Sequence, residues 1–98
     1  MRSPSYQIAD FRPCAEASTY VAEGKFHDVS LSELGQALNR ESFKTLELMS
    51  VATILARSPL CMISVDRSGA FAMSRVGDRR AAEQILCALL DAVKENRT

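Results

Sequence analysis

The stretch "RESFKTLELMSVATILARS", residues 40 to 58, decides the fold through the period at which its apolar residues recur. At 100° per residue Phe43, Leu46, Leu48, Met49, Val51, Ala52, Ile54 and Leu55 occupy nearly the whole circumference of a helix. Read so, the stretch is a long central helix from Arg40 to Arg57 that stops before Pro59. A helix that is apolar all round is buried all round. A single chain of 98 residues can hardly cover every side of it, so a second subunit or a target protein is expected over part. In the competing reading the short helices ahead of it supply the cover.

Downstream, "LCMISVDRSGAFAMSRVGD", residues 60 to 78, reads as an antiparallel β-hairpin. Asp66-Arg67-Ser68-Gly69 places Asp first in a type I turn and Gly fourth, where φ is positive and a bulge follows. That turn pairs Val65 with Phe71, Ile63 with Met73 and Cys61 with Arg75. One face then collects Cys61, Ile63, Val65, Phe71 and Met73, and the other Met62, Ser64, Asp66, Ala70, Ala72 and Ser74. Two strands alone are unstable in water, so something must cover them. Asp78 caps a last helix, "RRAAEQILCALLDAVKEN", whose stripe of Ala82, Ile85, Leu86, Leu89, Leu90 and Val93 is the natural cover.

Upstream, Pro13 suits a helix start and Gly24 a helix end, which predicts a short helix from Pro13 to Glu23. "SLSE" at residues 30 to 33 is a capping box that opens a second short helix, "LSELGQAL", with Asn39 as its left-handed stop. The predicted fold is therefore α+β: short N-terminal helices, a long central helix, one hairpin and an amphipathic C-terminal helix, in one domain over residues 1–98. Residues 1–9 and 96–98 look free to fray, although "YQIADF" could add a short edge strand.

Twelve basic and twelve acidic residues cancel, so nothing global draws the chain to nucleic acid or to an anionic membrane. The N-terminus "MRSPSYQIADF" has no apolar signal core and no run is long enough to span a bilayer, so a cytoplasmic location is expected. Cys14, Cys61 and Cys87 are odd in number and lack C-x-x-C spacing, which favours a reduced compartment.

The residues give no reason to expect an enzyme, a cofactor or a metal. His27 stands beside Asp28, the pairing of a base and its orienter, but a lone histidine in the polar loop "GKFHDVS" is more simply a solvated side chain. Cys87 projects from the polar face of the last helix near Arg80, Asp91 and Lys94, where a cation could activate it; a passive thiol or a subunit contact is the plainer reading. No G-x-G-x-x-G, Walker A or G-x-S-x-G motif occurs, and no His or Cys pair has metal-ligand spacing.

Two binding classes follow. Two helices joined at Asn39 and followed by a hairpin would make a winged-helix-like DNA-binding protein working through the Arg40–Arg80 region, with Arg67, Arg75, Arg79 and Arg80 at the wing. Against it, the would-be recognition helix offers only Lys44 as a basic group and is too apolar for a groove. The other class binds protein. In length, and in "ESFKTLELMSVATILARSP", "LCMISVDRSGAFAM" and "AAEQILCALLDAV" in that order, the chain resembles the small bacterial quorum-sensing anti-activators of the QslA type over residues 30 to 93. The resemblance implies a non-enzymatic regulator that binds a LuxR-type transcription factor such as LasR and covers its dimerisation surface; no functional residue carries over by position. The partner-binding residues expected on the central helix are Phe43, Leu46, Leu48, Met49, Ala52 and Ala56, and a homodimer is expected.

Overall fold

A computed structural model describes residues 2–15 and 18–98 and shows a six-stranded antiparallel sheet with two helices on one face. The strands are β1 (Ser5–Pro13), β2 (Tyr20–His27), β3 (Lys44–Leu48), β4 (Thr53–Arg57), β5 (Met62–Asp66) and β6 (Ala70–Val76). Helix α1 (Leu31–Arg40) lies between β2 and β3, and α2 (Arg79–Asn96) closes the chain. In space the order is β1-β2-β6-β5-β4-β3. No helix among the described residues is long and apolar enough to cross a membrane.

The expected helical architecture is corrected at two places. Residues 40 to 57 are not a long helix: α1 ends at Arg40, and β3, a 3₁₀ turn over Met49–Val51 and β4 form a hairpin pairing Lys44 with Arg57 through Leu48 with Thr53. Apolar residues all round a helical wheel are also what two short strands give when both of their faces carry apolar groups. Ile54 and Ala56 turn to the helices while Leu46 and Leu55 turn away. Because the β3–β4 hairpin, not a helix, follows α1 directly, the helix pair joined at Asn39 that a winged helix needs does not form. Likewise Pro13–Glu23 is not a helix; Pro13 ends β1 and Tyr20 begins β2, with Glu16 and Ala17 of that expected helix lying outside the described residues. The edge strand that "YQIADF" could add is present and longer, as β1, so residues 5 to 9 are held in the sheet rather than frayed. A bulge between Ile8 and Asp10 shifts the alternation of Tyr6, Ile8 and Phe11 by one and obscures the strand's full extent.

The hairpin of residues 60–78 forms in the bulged register, with Val65 opposite Phe71 and Ile63 opposite Met73. Its turn is held by Asp66 Oδ1, which accepts from the backbone N–H of Ser68 (2.9 Å) and Ala70 (3.2 Å), while Gly69 takes φ 92°. The ladder stops at Met62–Ser74, short of the expected Cys61–Arg75 pair, because Arg75 adopts φ 60° and turns Val76 back into the core. The inward face of Cys61, Ile63, Val65, Phe71 and Met73 is buried throughout.

Both caps also form. Ser30 Oγ accepts from the Glu33 N–H at 3.1 Å and Glu33 Oε1 from the Ser30 N–H at 3.0 Å; Asp78 Oδ1 accepts from the Ala81 N–H at 2.7 Å. The left-handed residue after α1 is Ser42 (φ 68°), not Asn39.

α2 lies over β1, β2 and β6, α1 over β3 and β4, and the two helices touch along the middle. The core forms between them and the sheet around Phe26, Leu34, Leu38, Met73, Leu86 and Leu89. Phe26 and Phe71 meet with ring centroids 4.9 Å apart. Replacing Phe71 with Ala should lower the unfolding free energy by about 3–5 kcal/mol, read from urea denaturation. Ala52 holds a left-handed conformation (φ 46°, ψ 52°) between the 3₁₀ turn and β4. Ala52→Gly should therefore raise stability by up to about 1 kcal/mol in the same assay, since it relieves that conformation.

Candidate functional site

The helices cover one face of the sheet and leave the other open. On the open face, cross-strand pairing sets side chains in three rows: Lys44, Arg57, Met62 and Ser74; Leu46, Leu55, Ser64 and Ala72; and Leu48, Thr53 and Asp66. Leu46 (59% exposed), Leu55 (41%) and Met62 (42%) stand side by side in this surface. They line a shallow groove of about 350 Å³, with Lys44 and Arg57 at its rim. Neither cation is in an ion pair with a described residue. Met49, Val51 and Leu60 lie in the adjoining connections and are more exposed still.

The half of the same face built from β1 and β2 is different. Gln7, Arg12, Glu23, Lys25 and His27 point outward there, and Arg12 bridges Asp10 and Glu23. These contacts hold the guanidinium above its ordinary pKa, Glu23 contributing most. The open face is thus charged at one end and apolar at the other. All the large hydrophobics exposed among the described residues fall between positions 46 and 62.

The residues expected to bind a partner divide on this frame. Leu46 and Leu48 lie on the open face, and Met49 opens the 3₁₀ turn at 83% exposure, with half-buried Ala52 at the turn's end. Phe43 and Ala56 turn inward and are buried against the helices. The partner-binding residues expected from the sequence did not include Val51, Leu55, Leu60 or Met62. Ile54-Leu55-Ala56 is apolar throughout and gives no period-two alternation to set against the helical reading of the same residues.

The other reactive groups are dispersed. No group of three or more His, Cys, Asp or Glu side chains gathers among the described residues. His27 is exposed at the end of β2, and Asp28, at φ 59°, gives its carbonyl to Arg97. Cys61 is buried, which pushes its thiol up to about 11. Cys87 Sγ lies 3.8 Å from Tyr6 Oη, which donates a long bond (3.4 Å) to Glu83 Oε1; burial, then the Cys87 contact, raises the phenol to about 12. No protein-family model, curated protein or solved structure matches the chain.

One charged contact is well formed. Arg97 Nε donates to Glu33 Oε2 at 2.6 Å and Nη2 to Glu33 Oε1 at 3.0 Å, while the same guanidinium reaches the carbonyls of Asp28 and Arg2. The clamp ties the start of α1, the end of α2 and the N-terminal segment together. It holds the Glu33 carboxyl down at about 2, Arg97 being the largest cause. A depressed carboxyl stabilises the fold fully above its ordinary pKa and loses that contribution as pH falls through the folded value. Stability should therefore decline between about pH 5 and pH 2, and Glu33→Gln should flatten that decline in urea titrations across the range.

Proposed function

We propose that the chain is a protein-binding module that takes an apolar surface of its partner on the β3–β5 half of the open sheet face. The observation that carries this reading is the confinement of the exposed large hydrophobics to positions 46–62, on a face whose other half is charged. An antiparallel sheet commonly turns one face to water, and such a face is normally polar. Fully burying a Leu or Met side chain is worth about 1.5–3 kcal/mol, and Leu46, Leu55 and Met62, still 41–59% exposed, each leave roughly half of that unrealised. A partner that covers the three together recovers this.

The partner proposed is a LuxR-type transcription factor, and its identity rests on the sequence resemblance over residues 30 to 93. The physical role is stoichiometric. A receptor whose own dimerisation surface is apolar would be held by contact with this face and kept from pairing with itself. Interface energy concentrates in a few large side chains at the centre of the contact, here Leu46, Leu55 and Met62, with Lys44 and Arg57 placed to meet carboxylates at the rim.

Calorimetric titration of a purified LuxR-type receptor into the chain tests the reading. Leu55→Arg and Met62→Arg should each weaken binding by more than about tenfold, or 1.4 kcal/mol, while Arg67→Ala at the β5–β6 turn leaves it unchanged. Circular dichroism confirms that each variant folds. No heat with the wild-type chain at two well-separated temperatures rejects the receptor, because apolar burial that is silent at one gives heat at the other; binding indifferent to both substitutions rejects the surface.

A further inference from the structure

The two outer edges of the sheet are built differently. β1 ends in Pro13, is broken by the bulge between Ile8 and Asp10, and carries the ion-paired Asp10 and Arg12. Proline, bulges and charge are the devices that deny an edge to another chain. β3 has no proline and no bulge, and pairs with β4 in unbroken register over all five of its residues, Lys44-Thr45-Leu46-Glu47-Leu48; its two charges, Lys44 and Glu47, are opposite in sign, so the difference from β1 lies in the proline and the bulge. Its outer side is the end of the sheet. Thr45 Oγ1 donates to Asn39 Oδ1 at 3.1 Å, which ties this edge to α1 and holds it extended.

We propose that a second copy of this chain adds along β3, antiparallel and centred on Leu46, so that the two sheets run into one with the helices of both copies on the same face. The strand is complementary to itself in this register. Lys44 meets Leu48 of the second copy, Thr45 meets Glu47, and Leu46 meets its equivalent on the two-fold axis. All five residues pair and no like charges are opposed. Centring on Glu47 would set two carboxylates directly opposite each other, which is unfavourable. Centring on Thr45 would draw in Phe43, whose N–H is already given to the Leu38 carbonyl at 2.9 Å, and Ser42, which is left-handed rather than extended. The balanced charge of twelve basic and twelve acidic residues puts no net repulsion between the copies.

The pairing has a consequence at the surface. Leu55 and Leu46 of one copy continue into Leu46 and Leu55 of the other, giving one apolar row across the two-fold axis. Self-association needs no other protein, so its test is separate from that of receptor binding.

Light scattering of the full chain across a concentration series should show the mass rising from 10.8 kDa towards twice that value. Leu46→Lys sets an ammonium against its equivalent on the axis and should return the monomer mass, whereas Leu55→Lys, one strand inside the edge, should leave the dimer intact. Circular dichroism checks both folds. Cα atoms directly opposite in an antiparallel pair lie about 4.5–5.5 Å apart, within disulfide reach. Leu46→Cys, in a chain also carrying Cys14→Ser and Cys87→Ser, should therefore cross-link on oxidation. A wild-type chain that stays monomeric, a dimer that survives Leu46→Lys or is lost with Leu55→Lys, or failure of the cross-link overturns the proposal.

Discussion

The architecture depends on the pairing of β2 with β6. Every other strand contact joins sequence neighbours through a short connection, whereas β2 and β6 bring Lys25 beside Ala70 and Tyr20 beside Val76. That contact pays the loop-closure entropy of the fold and turns two separate antiparallel pieces into one sheet. Gly24 makes it possible. A Cβ at Gly24 would lie 2.0 Å from the Gln7 carbonyl oxygen and 2.8 Å from Cζ of Phe71. The missing side chain lets β1 approach β2 closely and lets the Phe71 ring lie over the strand against Phe26.

Once the sheet is closed, the supply of helix sets what it can bury. α1 has 10 residues and α2 has 18, and together they cover one face of six strands. The clamp of Arg97 on Glu33 and on the carbonyls of Asp28 and Arg2 binds the end of the second helix to the start of the first. Nothing in the described chain remains for the other face. Its residues are therefore free to carry function, and the division between the ion-paired β1–β2 half and the apolar β3–β5 half is written in side chains that the core does not need.

The parts legible in the sequence are those where local chemistry and tertiary role agree. Asp66 and Gly69 specify a turn, Ser30 with Glu33 and Asp78 specify caps, and the stripe from Ala82 to Val93 has one solvated side and one buried side. β1 was legible only in part, as the edge strand "YQIADF", because the bulge breaks the alternation of Tyr6, Ile8 and Phe11; β2 was hidden because Pro13 and Gly24, helix punctuation on paper, serve here to end one strand and to admit a close backbone. β3 and β4 were hidden because Met49-Ser50-Val51-Ala52 contains no Gly, Pro, Asn or Asp, and Ser50 alone is a weak turn signal. The open-face residues split accordingly: Leu46 and Leu48 belong to the surface, while Phe43 and Ala56 proved to be core.

That hidden turn has a further role. A strand's register is fixed by hydrophobicity only when one face is apolar and the other polar, because a slip of one residue then exposes the core set. β4 carries Ile54 and Ala56 inward but Leu55 outward, and β5 carries Ile63 and Val65 inward but Met62 outward. Apolar residues on the open face weaken the distinction between inside and outside where a partner surface needs them most. The connections must then supply what alternation does not. Thr53 Oγ1 donates to the Val51 carbonyl at 3.0 Å, and the Ala52 N–H closes the 3₁₀ turn on the Met49 carbonyl. The Arg67 N–H reaches across from the β5–β6 turn to the Ala52 carbonyl at 3.0 Å. Left-handed Ala52 sits where these bonds meet, so the backbone of a turn without Gly, Pro, Asn or Asp sets the register that keeps Leu55 and Met62 facing outward.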